Sequence, residues 1–360
     1  MNTDAHAHHI AGAFDLDAAI VAVQPHGGGL INDTFLVSTT HGKRFILQRL
    51  NTQVFPYPGQ IMENLRTLLD HAYGQDMETL RLPALVPARN GCDYFVDDED
   101  GFWRMLEFIE GTRSLAKLAD TAQARLVGEA LGRFHALLHE LPVEKLHTTL
   151  PGFHVTPAYL QRFDEVLTTS VVAHSQALTN AVAFVEERRT RVAVLENARA
   201  AGKLPLRATH GDPKLDNFLF NTSGDAVVAL IDLDTVQPGL VLIDVADCLR
   251  SCCNRSGDTP TDPHAVRFEL PFAKAILEGY LTETREFLDR AELELLYDAI
   301  RLIPFELGLR FLTDHFAGDV YFKITQPGQN LQRALAQFRL AEDIERHEQE
   351  LRQLIESLAT

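Results

Sequence analysis

The stretch THGDPKLDNFLF, residues 209–220, is where this sequence says most about fold and chemistry. It sets two aspartates, an asparagine, a histidine and a lysine between apolar flanks. Asp212 and Asn217 lie five residues apart in it, a spacing that is unusual for a solvated loop. The apolar FLF then leads through the turn NTSGD into AVVALIDLD, which predicts a β-hairpin. A polar loop therefore enters a hairpin whose second strand ends in further carboxylates.

The end of that second strand supplies Asp232, a third side chain with oxygen ligands. We expect Asp212, Asn217 and Asp232 to point into one cleft. Phosphoryl transfer uses such a set, because one carboxylate accepts the proton of the attacking hydroxyl while an amide and another carboxylate hold Mg²⁺. The structural alternative is an Asx-rich turn before a hairpin, but the spacing between the two motifs argues against it.

Composition and charge restrict the partners of the chain. The 360 residues include 50 acidic and 33 basic ones, a net charge of −17, which disfavours binding to nucleic acid. No apolar run approaches the roughly 18 residues of a membrane helix, so no membrane partner is expected. The acidic N-terminal stretch lacks the pattern of a secretory signal, which predicts a cytoplasmic protein. His6, His8 and His9 are interpreted as part of a mobile terminus.

The predicted secondary structure changes near Gly111. Before it, short β-rich runs separated by glycine turns predict an antiparallel meander, followed by a helix over residues 60–73. After it, helical periodicity dominates, and the segment from Asn330 to Leu358 is predicted as one long helical stretch. Thr156 before Pro157 is expected to cap a helix.

The predicted fold class is α+β, with a small β-rich N-terminal lobe and a larger, mainly helical C-terminal lobe. The predicted boundaries are 1–106 for the first lobe, 107–111 for the joint and 112–360 for the second lobe. A cleft between two such lobes is a natural ligand site.

The motifs HGDPKLDN and IDLD resemble those of the aminoglycoside phosphotransferase and choline kinase superfamily, which is related to protein kinases. Longer segments, among them GGGLINDTFLV and LRFLTDHFAGDVYFKI, resemble the N-acetylhexosamine 1-kinases. The resemblance implies a bilobal protein-kinase-like fold. It also implies that ATP and Mg²⁺ are used to phosphorylate the anomeric hydroxyl of N-acetylglucosamine or N-acetylgalactosamine.

By this resemblance Asp212 is the catalytic base, and Asn217 and Asp232 are magnesium ligands. Asp234 is expected to assist at the metal, and Asp244 to have a structural role.

The resemblance also assigns the nucleotide site. Gly27, Gly28 and Gly29 would cover the phosphates, since glycine permits positive φ and close approach of backbone N–H groups. Taken alone, three glycines are more typical of a simple hairpin turn. Glu107 and Ile109 would bond adenine through the main chain.

The third strand departs from the kinase pattern, in which a Lys or Arg holds the α- and β-phosphates. The sequence offers Gln48 and Arg49, and because neighbouring strand residues face opposite ways only one of them can point into the cleft. The sequence leaves this choice open. Glu63 is either the helix glutamate that pairs with such a cation or a solvated charge on a helix face.

For the sugar acceptor, the resemblance points to Asp33, Arg310 and Tyr321 as contacts to hydroxyls and the acetamido group. Alternatively, Arg310 forms a salt bridge with Asp314 one helical turn away. Two rival functions remain: a kinase of an aminoglycoside, choline or another amino alcohol, and a non-catalytic nucleotide-binding protein. The first rival would need carboxylates or an aromatic cage around its cationic acceptor.

Overall fold

The structure, a computed structural model, describes residues 3–27, 31–73, 80–173 and 175–359. Its largest sheet is antiparallel and has six strands, with the order β1-β2-β3-β6-β4 and β5 added beside β6. The strands are β1 Ile20–Pro25, β2 Asp33–Thr39, β3 Arg44–Arg49, β4 Leu85–Val86, β5 Phe95–Val96 and β6 Phe102–Glu107. The first three form the meander that the sequence predicts.

The N-terminal segment is a helix, α1 Thr3–Ala11, rather than a mobile terminus. Ala7, Ile10 and Ala11 are buried against one face of the sheet together with Phe14. His6 contacts the Asp97 carboxylate at 3.1 Å. The interpretation as a mobile end was wrong because the apolar residues recur at steps of three and four, so burial fixes the segment.

Helices make up most of the remaining chain. They are α2 Pro58–Tyr73, α3 Thr121–Leu138, α4 Thr156–Thr169, α5 Gln176–Arg188, α6 Val194–Ala200, α7 Val241–Cys252, α8 Leu270–Thr284, α9 Arg290–Phe316, α10 Gln329–Arg346 and α11 Glu348–Ala359. The predicted single C-terminal stretch is therefore two helices separated at His347. In the described part of the chain, no helix combines the length and apolar composition that a bilayer crossing requires.

The large core lies among these helices. Helix α3 approaches α8 so closely that a Cβ atom at Gly128 would lie 2.0 Å from the Ile276 carbonyl oxygen. Glycine is therefore required at this crossing. Thr156 does not cap α4 as expected, because its hydroxyl donates instead to Glu306 on α9 at 2.7 Å.

Two small antiparallel sheets carry the loop motifs. They are built from β7 Thr112–Arg113, β8 Arg207–Thr209, β9 Phe218–Asn221, β10 Val227–Leu230 and β11 Gln237–Gly239. Strand β9 pairs with both β10 and β7, and β8 pairs with β11. The predicted hairpin is thus present, and it holds the polar loop and the IDLD segment side by side. The predicted lobe boundaries stay a prediction, although β6 ends at Glu107 and the next strand belongs to a different sheet.

Candidate active site

The loop between β8 and β9 is fixed from behind by one carboxylate. Asp244, near the start of α7, accepts hydrogen bonds from the backbone N–H groups of His210 at 2.6 Å and Gly211 at 2.9 Å. Its Oδ2 also lies 2.9 Å from the His135 ring. Burial opposes ionisation of Asp244, but His135 and the two N–H groups outweigh it and lower the pKa of this carboxyl. This arrangement gives Asp244 the structural role that the sequence resemblance implies.

Gly211 meets a conformational requirement in that loop. Its φ is +85°, and a Cβ atom there would lie 2.8 Å from the Thr235 carbonyl oxygen. The Gly211 carbonyl in turn accepts a hydrogen bond from His154 Nε2 at 3.0 Å. The backbone immediately before Asp212 is therefore held on both sides.

Asp212 and Asn217 are brought together within the loop. The Asn217 amide nitrogen donates to the Asp212 carbonyl at 2.7 Å, and Asn217 is buried. The Asp212 carboxylate faces the cleft, where it accepts from Lys214 Nζ at 2.5 Å. Both side chains of this ion pair are 35% exposed, so the Asp212 carboxylate remains accessible to a substrate.

Asp232 joins the same site from the end of β10. The Ile231 N–H donates to the Asn217 carbonyl at 3.0 Å, and the Ile231 carbonyl accepts from His210 Nε2 at 3.0 Å. Asp232 has a left-handed backbone with φ of 67°, an uncommon conformation that often occurs at functional sites. Its carboxylate lies 4.0 Å from Lys214 Nζ. The structure thus brings Asp212, Asn217 and Asp232 together in one cluster.

Asp232 is influenced by burial, by another carboxylate and by two cations. Burial in the cleft, and next the negative charge of Asp234, raise the pKa of Asp232 to about 6 even though Lys214 and Arg104 act in the opposite direction. An added cation would therefore stabilise the ionised form of Asp232. A divalent metal ion would supply that positive charge.

Asp234 is less available than the sequence suggested. It is buried, with one carboxylate oxygen bonded to Arg104 on β6 and the other accepting from the Asn32 side chain at 2.6 Å. Because both oxygens already have donors, Asp234 contributes to the site mainly as a counter-ion.

The third strand resolves the choice between Gln48 and Arg49 geometrically. Gln48 Oε1 accepts from Arg104 Nε at 3.0 Å and Nη2 at 2.7 Å, on the side of the sheet where Asp234 lies. Arg49 points to the opposite face, where its guanidinium lies 5.9 Å from the Trp103 ring. Gln48 therefore faces the cleft, and a cation stands next to it on the neighbouring strand.

The predicted helix glutamate does not join this group. Glu63 on α2 pairs with His147 at 2.6 Å, and its side chain is 66% exposed. The neighbouring Asn64 takes the buried side of the helix and bonds the carbonyls of His147 and Val236. Helical rotation places Glu63 outside the cleft, so its assignment as the partner of the strand cation is corrected to a solvated charge.

The remaining nucleotide residues are only partly described. Gly27 has φ of +72°, a turn conformation that suits glycine. Gly28 and Gly29 lie outside the described residues. Glu107 ends β6 with its N–H bonded to the Ala84 carbonyl, and Ile109 is buried with its carbonyl accepting from Thr112.

The predicted acceptor residues separate into two places. Arg310 on α9 lies over the rings of Phe153, Tyr159 and Phe322, at 5.7, 5.1 and 5.6 Å from their centroids. Burial lowers the pKa of Arg310, but Tyr159 and Glu306 outweigh burial and raise this pKa above its usual value. The guanidinium therefore lies among three aromatic side chains and keeps its charge.

The alternative pairing of Arg310 with Asp314 is not what the structure holds. Asp314 instead accepts from the backbone N–H groups of residues 320, 321 and 322, and so orders the segment that carries Tyr321. Tyr321 itself is 57% exposed beside Phe322.

Asp33 does not join Arg310 and Tyr321. It is exposed at the start of β2, opposite Arg49 in the register, and therefore lies on the face of the sheet away from Gln48.

The model of the phosphotransferase enzyme family, abbreviated APH, matches residues 22–289, about three quarters of the chain. The chain belongs to the phosphotransferase enzyme family.

Solved structures similar to this phosphotransferase share its α+β, protein-kinase-like fold. An aminoglycoside phosphotransferase from Alicyclobacillus acidocaldarius is 17% identical, with a TM-score of 0.66, and covers 97% of this chain and 96% of its own. A microcompartment-associated aminopropanol kinase is 16% identical, with a TM-score of 0.64 and coverages of 97% and 98%. A choline kinase from Cryptosporidium parvum is 14% identical, with a TM-score of 0.62 and full coverage of both chains. At these identities the likeness establishes the fold and not the substrate.

Four residues of this phosphotransferase site were missed from the sequence: Asn32, Arg104, His154 and Lys214. Lys214 stands inside the quoted motif, two residues after Asp212, and that proximity was a usable signal. Arg104 and Asn32 were not recognisable, because they reach Asp234 from positions more than a hundred residues away.

Proposed function

We propose that this phosphotransferase is an ATP-dependent kinase that phosphorylates the anomeric hydroxyl of N-acetylglucosamine or N-acetylgalactosamine. The observation that carries this proposal is the position of Arg310, whose guanidinium lies among three aromatic rings. This arrangement offers fixed donors beside apolar rings, which suits a neutral polyol. The resemblance of the segments around Arg310 and Gly27 to N-acetylhexosamine 1-kinases supports the same substrate class.

A cationic acceptor fits this pocket less well. The aromatic rings that would surround a quaternary ammonium already surround the Arg310 guanidinium. The nearby Glu306 carboxylate is occupied by His154 at 2.8 Å and Thr156 at 2.7 Å. Positive charge at the pocket wall would repel an aminoglycoside or choline, whereas a sugar hydroxyl or an acetamido oxygen can accept from Arg310.

Asp212 would act as the general base. The sugar's anomeric O–H would donate its proton to the Asp212 carboxylate as the oxygen bonds to the γ-phosphorus. The bond between that phosphorus and the β,γ-bridging oxygen breaks, and ADP leaves with the electron pair. Lys214, 2.5 Å from Asp212, is placed to bind the γ-phosphoryl group as negative charge accumulates there.

Asn217 and Asp232 fit a magnesium ion. The Asn217 amide nitrogen is used by the Asp212 carbonyl, and within the described residues its Oδ1 accepts no hydrogen bond. Burial, and next the neighbouring Asp234 carboxylate, raise the pKa of Asp232, and a bound cation would oppose both effects. Mg²⁺ prefers oxygen ligands, keeps several waters and would neutralise the phosphate oxygens when bound with ATP. Two protein ligands are therefore enough.

The test is an acceptor panel analysed by NMR. The purified chain is incubated with MgATP and, separately, N-acetylglucosamine, N-acetylgalactosamine, choline and kanamycin, and the products are assigned by ¹H and ³¹P spectra. We expect the hexosamines to yield a phosphate coupled to the anomeric proton. Phosphorylation of choline or kanamycin alone would overturn the substrate assignment, and phosphorylation at another sugar hydroxyl would overturn the position.

A further inference from the structure

The small-lobe face of the cleft contains a buried arginine that the kinase pattern does not predict. Arg104 on β6 is directly opposite Gln48 in the sheet register, and its side chain is 1% exposed. Two of its N–H groups donate to Gln48 Oε1, and Nη2 also bonds the Asp234 carboxylate. The position where kinases carry a third-strand cation holds Gln48 here, and a cation is present one strand away, on the same face.

One part of the Arg104 guanidinium lacks a partner. Nη1 is buried, and among the described residues it donates to no acceptor. A buried donor without an acceptor costs free energy, and guanidinium N–H groups in native proteins are normally satisfied. An acceptor that arrives with a ligand would remove that cost.

The surroundings of Arg104 specify the kind of ligand. Asp234, its counter-ion, also accepts from Asn32, which follows the predicted phosphate turn along the chain. Arg104 and Asn32 therefore share one carboxylate, which brings the guanidinium close to the residue that follows the predicted phosphate turn in sequence. A phosphate oxygen is the acceptor that this location favours.

We propose that Arg104 binds the α- and β-phosphates of the nucleotide in place of a third-strand lysine, and that Gln48 is the positioning residue that orients it. The inference rests on the proposed function, since it assumes that ATP occupies this cleft. Nη1 would donate to a phosphate oxygen while Nη2 keeps its bond to Asp234. Arginine suits the task because its planar fork can bond a carboxylamide, a carboxylate and a phosphate at once.

Affinities of a nucleotide series, measured by calorimetry without any acceptor, test this assignment. For Arg104→Gln we expect the Kd for MgADP to rise about tenfold or more, because charge-assisted hydrogen bonds to phosphate are lost. The Kd for adenosine should stay within about twofold of the parent, since no phosphate is involved. Arg66→Gln is the control: it removes another small-lobe arginine, one paired with Asp93 at the surface, and should change neither Kd.

A second variant distinguishes loss of phosphate binding from loss of folding, because it keeps a cation in the site at a different position. The double variant Arg104→Gln with Gln48→Lys moves the charge to the third strand, where it can still face Asp234. We expect this variant to regain most of the MgADP affinity. Unchanged MgADP binding in Arg104→Gln, equal loss of adenosine and MgADP, or a folded double variant without recovered affinity would each overturn the proposal.

The same data separate this inference from the proposed function. A parent chain that binds MgADP but phosphorylates no acceptor contradicts the kinase activity and leaves the comparison of Arg104 variants valid. A parent chain that binds neither MgADP nor MgATP overturns both.

Discussion

Two carboxylate–cation pairs line the cleft, and they differ in their access to water. Asp212 and Lys214 are two residues apart, and each side chain is 35% exposed. Arg104 and Asp234 are 130 residues apart, and their side chains are 1% and 4% exposed. The first pair can rearrange around a substrate at small cost, whereas the second is built into the packing between the sheet and the IDLD segment.

This difference separates two tasks of one site. A solvent-exposed ion pair contributes about 0–1 kcal/mol to stability, so Asp212 and Lys214 are free to serve chemistry. Removing one partner of a buried pair leaves an uncompensated charge and costs about 3–5 kcal/mol. The accessible pair should therefore control rate, and the buried pair should control stability and the geometry of the small-lobe face.

The largest expected effect is on the rate. We expect Asp212→Asn to lower kcat by about 10³-fold, because an amide cannot accept the proton of the acceptor hydroxyl. The free energy of unfolding should change by less than about 1 kcal/mol, since the pair is accessible. Activity is measured by a coupled ADP-release assay with the hexosamine acceptors.

The matched control for that variant is Asp216→Asn, an exposed aspartate in the same loop, which should keep the parent kcat. Parent-like activity in Asp212→Asn would exclude Asp212 as the base.

The next effect concerns stability, which should depend on the buried pair more than on the accessible pair. We expect Asp234→Ala to lower the free energy of unfolding by about 3 kcal/mol, because Arg104 is left buried without its counter-ion. Lys214→Met should lower it by less than about 1 kcal/mol. Urea denaturation followed by circular dichroism gives both values. Equal losses in the two variants would remove the distinction between the pairs.

The sequence anticipated the first pair far better than the second. Asp212, Asn217 and Asp232 sit in a loop and at a strand end that hydrogen bonds of short range hold together, so local spacing was informative. The β-hairpin and the three-strand meander were predicted for the same reason.

Arg104 could not be found in this way, because FWRML reads as an ordinary buried strand. Its role depends on strand register with Gln48, 56 residues away, and on Asp234, which lies in the short turn between β10 and β11. The two alternatives for Glu63 could not be separated for a related reason, since helical rotation decides which side chain of α2 faces inward. In contrast, α1 was predictable from the spacing of Ala7, Ile10 and Phe14.

A smaller, pH-dependent effect is expected at the back of the Asp212 loop. His154 contacts the Glu306 carboxylate at 2.8 Å and the Gly211 carbonyl at 3.0 Å, so both ring nitrogens donate and the ring is an imidazolium. Burial lowers the pKa of His154, but Glu306, the Gly211 carbonyl and more distant Asp247 outweigh burial and raise it above 6.5.

Because the folded-state pKa is raised, the stability contributed by His154 is complete below about pH 6.5 and declines as pH rises through the folded pKa. His154→Gln should therefore reduce the free energy of unfolding by more at pH 6 than at pH 9. Urea denaturation at the two pH values measures this difference. A reduction that is independent of pH would contradict the imidazolium assignment.

The smallest effect is predicted for Glu63→Gln. Its partner His147 is 43% exposed, so we expect the KM for ATP to stay within about twofold and the stability within about 0.5 kcal/mol. A tenfold increase in the KM for ATP, measured by steady-state kinetics, would return Glu63 to the nucleotide site.

The most direct test of the central claim is the anomalous scattering of Mn²⁺ in crystals grown with ADP. We expect one strong peak about 2.0–2.3 Å from Asn217 Oδ1 and an Asp232 carboxylate oxygen, with the diphosphate between this ion and Arg104. A nucleotide-bound ion that contacts neither Asn217 nor Asp232 would contradict the account.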